Sequence, residues 1–362
     1  MNASAGRLNA PQPSIFAAIN RHNKVLEDLA FCRFFVTMFN SYNLMRQALF
    51  FLAAAFCFGC SESRPPEDPS ERASEDSSVK LRVVCTTGMV ADMVGVLCGP
   101  DADVDFVIPT GLDPHTYRAT PSDVERITEA DVVVYSGIGL EAKFEDILEN
   151  YGRGEGHIVL SLGQGLPASD LIVLGEGEGH EGEVDPHFWF DIDLWKLAAT
   201  SLSKELSSLD PEHANAFNAR LAQYLQELNN LDLWCRQELD DIAPSNRVMV
   251  TVHDAFAYFA RHFGFEVRGL QGISPELEAG VYDVSNMVNY LVDNNIQAVF
   301  VEESLPTKTM EAVVKGCASK GHNVSIGEPL LADNVGVAGS EEGTYIGMVQ
   351  YNVNALVLGL TK

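Results

Sequence analysis

The chain contains 362 residues, of which 46% are hydrophobic, and its formal net charge at pH 7 is −27. This length predicts one large or two medium domains with a substantial core. The acidic surface excludes nucleic acid as a partner; it either attracts cations or serves solubility alone.

Export signals dominate the first eighty residues. Residues 45–60 read MRQALFFLAAAFCFGC, in which one arginine precedes an apolar stretch too short to span a bilayer, as in a secretory signal peptide. The closing FGC resembles a bacterial lipobox, so Cys60 is the expected site of lipid attachment; ordinary signal cleavage and an uncleaved anchor are the alternatives. Met45 is a candidate start, and we expect residues 1–44 to lie outside the mature protein. Residues 61–80, rich in Ser, Glu and Pro, are predicted to form a disordered tether.

Strand and helix patterns alternate through residues 81–209, the predicted N-terminal lobe. Short apolar runs rich in β-branched residues predict strands near LRVVC, VDFVIP, DVVVYSG and HIVLSLG. Between them, Thr120 and Pro121 have the residue types preferred at the cap and the first position of a helix. The alternation predicts a parallel sheet with helices on both faces.

A long helix is predicted at residues 210–244. Asp210 can cap it, Pro211 can be its first residue, and apolar residues recur at helical spacing. About thirty residues at 1.5 Å each reach about 45 Å, enough to join two domains. Strands and helices then alternate again through residues 245–362, the predicted C-terminal lobe. The predicted fold class is α/β: two lobes with mainly parallel sheets flanked by helices, joined by one long rigid linker helix.

The cysteines beyond the signal segment do not form a metal-binding pattern. Cys85, Cys98, Cys235 and Cys317 are scattered without a CxxC pair, so a thiolate metal cluster is not expected. One disulfide can form in an oxidising compartment, but the spacing does not choose the pair.

Three histidines and one aspartate follow predicted strands. In open α/β sheets, ligands bind at the carboxyl ends of strands, and His115, His187, His253 and Asp333 lie at or after such ends. A single histidine there is more often structural than ligating. Here the motif Asp-Pro-His occurs twice, ending in His115 and His187. Proline restricts the backbone beside each imidazole, and the aspartate can accept an N–H.

The remaining histidines of the folded part are interpreted differently. The Gly- and Glu-rich segment 174–187 is predicted to be a loop, where His180 is either a surface residue or a weak metal ligand. Four further histidines are interpreted as surface residues: His157, His213, His262 and His322. Asp191 and Asp193 are interpreted as caps of the next helix.

Ordered motifs over residues 81–360 resemble one family. The segments are GLDPHTYRATPSD, SGIGLE, DPHFWFD, TVHDAFAYFARHFGF, QGISPELEAG, VFVEES and EEGTYIGMVQYN. They resemble the metal-binding substrate proteins of zinc/manganese ABC transporters, a group that includes lipoprotein adhesins. The resemblance implies one divalent cation bound between two lobes by His115 and His187 from one lobe and His253 and Asp333 from the other. It also implies an ABC permease with its ATPase as partner, metal as cargo, a location in the periplasm or at the outer face of the cytoplasmic membrane, and a monomer.

The choice of ion follows from the ligand types. Three imidazoles and one carboxylate favour Zn²⁺, with Mn²⁺ as the alternative, because oxygen-rich sites suit manganese better. Since imidazoles must be neutral to bind, we expect metal affinity to fall as the pH drops through about 6. A metal-dependent hydrolase is the competing function, with Glu302 or Glu303 as a general base, although HExxH, GxSxG and P-loop motifs are absent from the sequence. A lipoprotein adhesin is a third alternative, based on lineage analogy only.

Overall fold

The structure, a computed structural model, describes residues 80–175 and 182–361. These residues belong to one unit of the chain, Ser78–Lys362. The predictions for residues 1–44, the signal segment 45–60 with Cys60, the tether up to residue 79, and His180 lie outside the described residues.

The N-terminal lobe is built on a four-stranded parallel sheet. Its strand order is β2-β1-β3-β4, with Cys85 opposite both Phe106 and Val134. The strands are β1 (Leu81–Cys85), β2 (Ala102–Phe106), β3 (Val132–Tyr135) and β4 (Ile158–Ser161). The connecting helices are α1 (Gly88–Cys98), α2 (Pro121–Glu129) and α3 (Glu145–Gly152), and α4 (Ile192–Leu209) ends the lobe. Three consecutive valines of β3 are buried, as expected for a strand covered on both faces.

The C-terminal lobe repeats this arrangement with shorter strands. Parallel pairs β5-β6 and β7-β8 lie side by side, joined by a hydrogen bond from Phe300 N–H to Val250 O at 2.8 Å. The strands are β5 (Val248–Thr251), β6 (Glu266–Gly269), β7 (Ala298–Val299) and β8 (Ser325–Ile326). The helices are α6 (Ala257–Phe263), α7 (Val281–Asp293), α8 (Lys308–Ser319) and α9 (Tyr345–Leu360). The predicted fold class, α/β with parallel sheets flanked by helices, is confirmed.

The long helix between the lobes is shorter than predicted. Helix α5 spans Ala214–Leu239, inside the predicted range 210–244. Because α4 ends at Leu209, the chain needs residues 210–213 to reverse direction, and Asp210 Oδ1 accepts from His213 N–H within this turn. Asp210 and Pro211 are therefore turn residues, not the cap and first residue of α5. The division of the chain at residues 209 and 244 stays a prediction.

One hydrophobic core runs through both lobes. It contains the inner faces of both sheets and buried side chains from α5 and from the helices that contact it, including Tyr224 of α5, Trp195 of α4 and Met348 of α9. A second core lies between β5, β7 and the helices α7 and α8, and a third lies under α2 and α3. The first of these cores therefore packs the two lobes together behind the loops by which they face each other.

The start of α2 is set by a local capping motif, and the cysteines of the described part are not paired. Thr120 caps α2, and Asp123 completes the capping box by accepting from Thr120 N–H at 2.8 Å. The four cysteines of the described part, Cys85, Cys98, Cys235 and Cys317, are buried free thiols. Among the described residues, none of the helices is both long and apolar enough to cross a membrane.

Candidate metal centre

The four predicted ligands lie together between the lobes. One side-chain nitrogen or oxygen from each of His115, His187, His253 and Asp333 falls within 4.8 Å of the others, and all four residues are buried. His115 lies in the loop after β2, His253 follows β5, and Asp333 lies in the loop between β8 and α9. His187 immediately precedes a short 3₁₀ turn that leads into α4. Residues separated by up to 218 positions thus converge on one small volume.

Both Asp-Pro-His motifs use the same local hydrogen bond. Asp113 Oδ1 accepts from His115 N–H at 2.9 Å, and Asp185 Oδ1 accepts from His187 N–H at 2.9 Å. Such bonds from Asp to the backbone two residues later fix a tight turn. In the second motif, Asp185 Oδ1 also accepts from the His187 imidazole Nδ1, at 2.7 Å. The bonded Nδ1 leaves Nε2 of His187 facing the other ligands.

His253 is oriented by a carboxylate that lies three residues beyond the neighbouring strand β7. Glu302 Oε1 accepts from His253 N–H at 3.0 Å and from its Nδ1 at 3.1 Å, while Oε2 accepts from Val252 N–H at 3.0 Å. Glu302 and His253 are both buried. Two of the three imidazoles therefore donate Nδ1–H to a carboxylate and turn Nε2 towards the centre, the arrangement typical of metal-bound histidine.

Three polar atoms in the centre have no hydrogen-bond partner. They are His253 Nε2 and both carboxylate oxygens of Asp333, all fully buried. Asp333 Oδ1 lies 3.4 Å from His187 Nε2 and Asp333 Oδ2 lies 3.5 Å from His253 Nε2, and these approaches are ion-pair contacts without hydrogen-bond geometry. Unpaired buried polar atoms are costly, so these atoms are suited to a cation between them.

The spacing of the ligand atoms fits a small tetrahedral ion. The Nε2 atoms of His115 and His187 lie 3.3 Å apart, and the two contacts of Asp333 measure 3.4 and 3.5 Å. An ion with bonds of about 2.0–2.1 Å to tetrahedral ligands requires ligand separations of roughly 3.3–3.4 Å. Close approach of two imidazole nitrogens is unfavourable unless a proton or a cation lies between them.

The electrostatics of the metal-free centre favour positive charge near Asp333. Burial lowers the pKa of His115 to about 3, although Asp333 pulls it upwards. For His187, burial is outweighed by Asp185 and Asp333, which raise the pKa to about 8. Asp333 and Glu302 likewise outweigh burial and raise the pKa of His253 well above its usual value. The pKa of Asp333 lies well below its usual range because His253 and His187 outweigh burial. A bound cation would take over the role of the protons on these imidazoles.

The remaining histidines of the described part differ in their exposure to solvent. His157 is exposed, and His213 and His322 are partly exposed, in agreement with the interpretation as surface residues. The His262 side chain is only 6% exposed, so its interpretation as a surface residue is wrong. Its Nδ1 lies 3.0 Å from Asp191 Oδ1 and its Nε2 lies 2.6 Å from Asp232 Oδ1.

A second group of potential ligands surrounds His262 but is already paired. Asp191, Asp193 and His262 lie close enough to hold a metal. However, both imidazole nitrogens bond carboxylates, and Asp191 Oδ2 accepts from Arg261 at 2.9 Å. Asp191 also caps α4 by accepting from Asp193 N–H, as predicted, while Asp193 lies in the first turn and pairs with Lys196. This group therefore ties α4, α5 and α6 together.

Comparison with known proteins identifies the family. Residues 83–359 match the family model described as zinc-uptake complex component A, periplasmic (ZnuA). The chain belongs to this family. The manganese-binding lipoprotein MntA of Bacillus subtilis (strain 168) is 39% identical over 291 residues, which cover 80% of this chain and 93% of that protein. The zinc-binding protein TroA of Treponema pallidum (strain Nichols) is 37% identical over 283 residues, covering 78% and 90%.

A solved structure shows the same fold. The periplasmic zinc-binding protein TroA from Treponema pallidum matches with a TM-score of 0.74 and 37% identity, covering 78% of this chain and 100% of that chain. The resemblance inferred from the ordered motifs is thus confirmed at the level of the family. Members of this family are substrate-binding transport proteins, which confirms the expectation that the chain is not an enzyme.

The geometry of Glu302 agrees with a substrate-binding transport protein and not with a hydrolase. Both oxygens of Glu302 are engaged by the backbone of Val252 and by His253, so neither is free to act as the general base of a hydrolase. Glu303 is exposed and lies with Gly111 and Leu112 around a shallow depression beside Asp333. The sequence placed Glu302 at a strand end but did not reveal its partner, because that partner lies 49 residues away.

Proposed function

We propose that the protein captures one divalent metal ion between its lobes, outside the cytoplasm, and delivers it to an ABC permease for import. The observation that supports this function most strongly is the group of four buried potential ligands, in which three polar atoms lack any hydrogen-bond partner. The family and its named zinc- and manganese-binding members support the same function. His115, His187, His253 and Asp333 are the proposed ligands, and Asp185 and Glu302 orient two of them.

The proposed ion is zinc, with manganese as the weaker-binding alternative. Three imidazoles and one carboxylate match the nitrogen-rich sets that zinc prefers, and zinc exceeds manganese in affinity for most such sites. Relatives of nearly equal identity are named for manganese and for zinc, so the preference rests on the ligand set. Both oxygens of Asp333 face the centre, one towards His187 and one towards His253. This carboxylate can therefore add a fifth bond, which allows manganese to bind as well.

The proposed partners follow from the relatives and from the export signal. Relatives are named as lipoproteins and as substrate-binding components of metal ABC transporters. Lipid attachment at Cys60 would hold the protein at the outer face of a membrane, and the tether after Cys60 would let the folded part reach the permease. Release of cargo to a permease requires the ligands of the two lobes to separate.

Native mass spectrometry with both metals tests the function and the ion together. The purified protein is stripped with a chelator, mixed with equal amounts of Zn²⁺ and Mn²⁺, and weighed under non-denaturing conditions. We expect one ion per chain and zinc in excess of manganese. A protein that retains no ion contradicts the function, and an excess of bound manganese contradicts the proposed preference.

A further inference from the structure

The loop that carries Asp333 is fastened to the N-terminal lobe on both sides of the ligand. Before it, Ala332 O accepts from the indole N–H of Trp189 at 2.9 Å. After it, Asn334 Oδ1 accepts from Gly88 N–H at 2.9 Å. Both donors belong to the N-terminal lobe, although Asp333 lies in the C-terminal part of the sequence. The position of this ligand is therefore set by contacts across the cleft.

Asn334 makes the more extensive of the two attachments. Its Oδ1 also accepts from Val335 N–H at 3.0 Å, and its Nδ2 donates to Ile108 O at 3.4 Å. The side chain is buried. Gly88 is the first residue of α1, and its N–H is one of those that a helix cannot satisfy internally. Asn334 thus acts as a cap on a helix 246 residues away, in addition to the local cap Thr87.

The sequence at Gly88 permits this close approach. A β-carbon at position 88 would lie 2.8 Å from Val335 Cγ2 and 2.9 Å from Asn334 Oδ1. Both distances are too short for a carbon atom unless the side chains of Val335 and Asn334 shift. Glycine at the start of α1 is therefore required by space, so that the residues after Asp333 can pack on the helix end.

We infer that Asn334 is a positioning residue that holds Asp333 in the metal centre and thereby controls the rate of metal release. Asp333 contacts His187 and His253 only while its loop lies against α1 and the Trp189 indole. If the Asn334 amide separates from the start of α1, the Asp333 carboxylate can move away from the centre. The ion then keeps only the three imidazoles as ligands. This inference rests on the proposed function, because it assigns a release step to the same site.

The test compares zinc dissociation from the wild type and from Asn334→Ala, measured by stopped-flow transfer to a chelator. Removing the three hydrogen bonds of this side chain should accelerate release by about tenfold or more, with little change in the association rate. Asn334→Asp should restore slow release in large part, because its carboxylate can accept from Gly88 N–H and is favoured at a helix N-terminus. In Co²⁺-loaded protein, the visible spectrum of Asn334→Ala should also change, since the position of one ligand changes.

Two further variants distinguish positioning from general loss of stability. Val313→Ala truncates a buried side chain in the second core, between α7 and α8, and should leave zinc release unchanged. Gly88→Ala should accelerate release by crowding the side chains of Asn334 and Val335 while residue 334 itself stays asparagine, and it carries the test if Asn334→Ala does not fold. Release from Asn334→Ala within twofold of the wild type would overturn the inference, as would equal acceleration in Val313→Ala. Failure of the wild type to bind either zinc or manganese would instead overturn the proposed function.

Discussion

Glu302 accepts two hydrogen bonds from His253, one from its backbone N–H at 3.0 Å and one from its imidazole Nδ1 at 3.1 Å. The backbone bond fixes the position of the residue after β5, and the side-chain bond fixes the orientation of the ring. His253 Nε2 is consequently directed at Asp333, 3.5 Å away, with no hydrogen-bond partner. A ligand held at two points in this way needs little rearrangement when an ion arrives.

Glu302→Gln should weaken zinc binding by about 10–100-fold, the usual effect of losing a group that orients a metal-bound histidine. The amide has a single acceptor oxygen, whereas the carboxylate accepts from Val252 N–H and from two groups of His253. Competition titration against a zinc chelator measures the change. Glu303→Gln, at the exposed neighbouring position, is the matched control and should bind zinc like the wild type. Equal affinity of Glu302→Gln and wild type would show that His253 needs no such support.

His187→Ala should lower zinc affinity by more than about a hundredfold while the fold is retained. Loss of a direct ligand is expected to exceed the loss caused by a group that only orients one. Isothermal titration calorimetry gives the affinity, and circular dichroism verifies the fold. His213→Ala removes a partly exposed histidine that is not among the proposed ligands and should leave the affinity unchanged. Affinity within threefold of the wild type would remove His187 from the ligand set.

Zinc affinity should decrease as the pH falls below about 8, not below about 6 as the sequence suggests. Zinc binding requires loss of the proton from His187, whose pKa is raised to about 8 because Asp185 and Asp333 outweigh burial. It also requires loss of the proton from His253, whose pKa is raised well above its usual value. Each proton displaced lowers the apparent affinity by about tenfold per pH unit below the pKa. His115, with a pKa lowered to about 3 by burial, should not contribute in this range. Competition titrations between pH 5 and 8.5 that give a constant affinity would contradict this.

The metal-free protein should lose stability as the pH rises from about 6.5 to above 8. A group whose pKa is higher in the folded than in the unfolded protein stabilises the fold at low pH, and this contribution is lost as the pH rises through the folded pKa. His187 and His253 both have raised pKa values in the folded protein. Melting curves in a chelator measure the effect, and His187→Gln should reduce it. A melting temperature that rises over this range would contradict the assigned charges.

Zinc should reverse that loss, because metal binds the neutral imidazoles and stabilises the folded state. At a fixed free zinc concentration the stabilisation grows as Kd falls with rising pH, and it is about 2.7 kcal/mol where zinc is at 100 times Kd. The difference in melting temperature between zinc-loaded and metal-free protein should therefore be larger at pH 8 than at pH 6. Calorimetry at both pH values measures this difference. An equal difference at the two pH values would mean that zinc and protons do not compete for the same groups.

The sequence predicts the four proposed ligands because they belong to repeated or strand-end motifs. The two Asp-Pro-His motifs encode their own turn, with the same 2.9 Å bond from aspartate to the histidine N–H in each. His253 follows a strand directly, and the carboxyl ends of parallel strands lie at one edge of a sheet. Local chemistry and a simple rule of topology therefore predict three of the four proposed ligands.

The aspartates of the two Asp-Pro-His motifs were expected to support the histidines, whereas the roles of Glu302, Asn334 and His262 were not predicted because their partners are distant in the sequence. Glu302 bonds a residue 49 positions away, Asn334 bonds one 246 positions away, and His262 lies between Asp191 and Asp232, 71 and 30 positions away. Glutamate and asparagine are found mostly at surfaces and histidine is intermediate, so only the tertiary structure shows that these side chains are enclosed. The start of α5 was misplaced for a local reason, since Asp210 bonds His213 in a turn rather than capping the helix.

Anomalous diffraction from crystals of the zinc-loaded protein, recorded at the zinc absorption edge, tests the central claim most directly. The account predicts one strong peak between the lobes, about 2.0–2.1 Å from an imidazole nitrogen of each of His115, His187 and His253, and in contact with the carboxylate of Asp333. A peak at the Asp191, Asp193 and His262 group instead, or no peak among the four buried ligands, would contradict it.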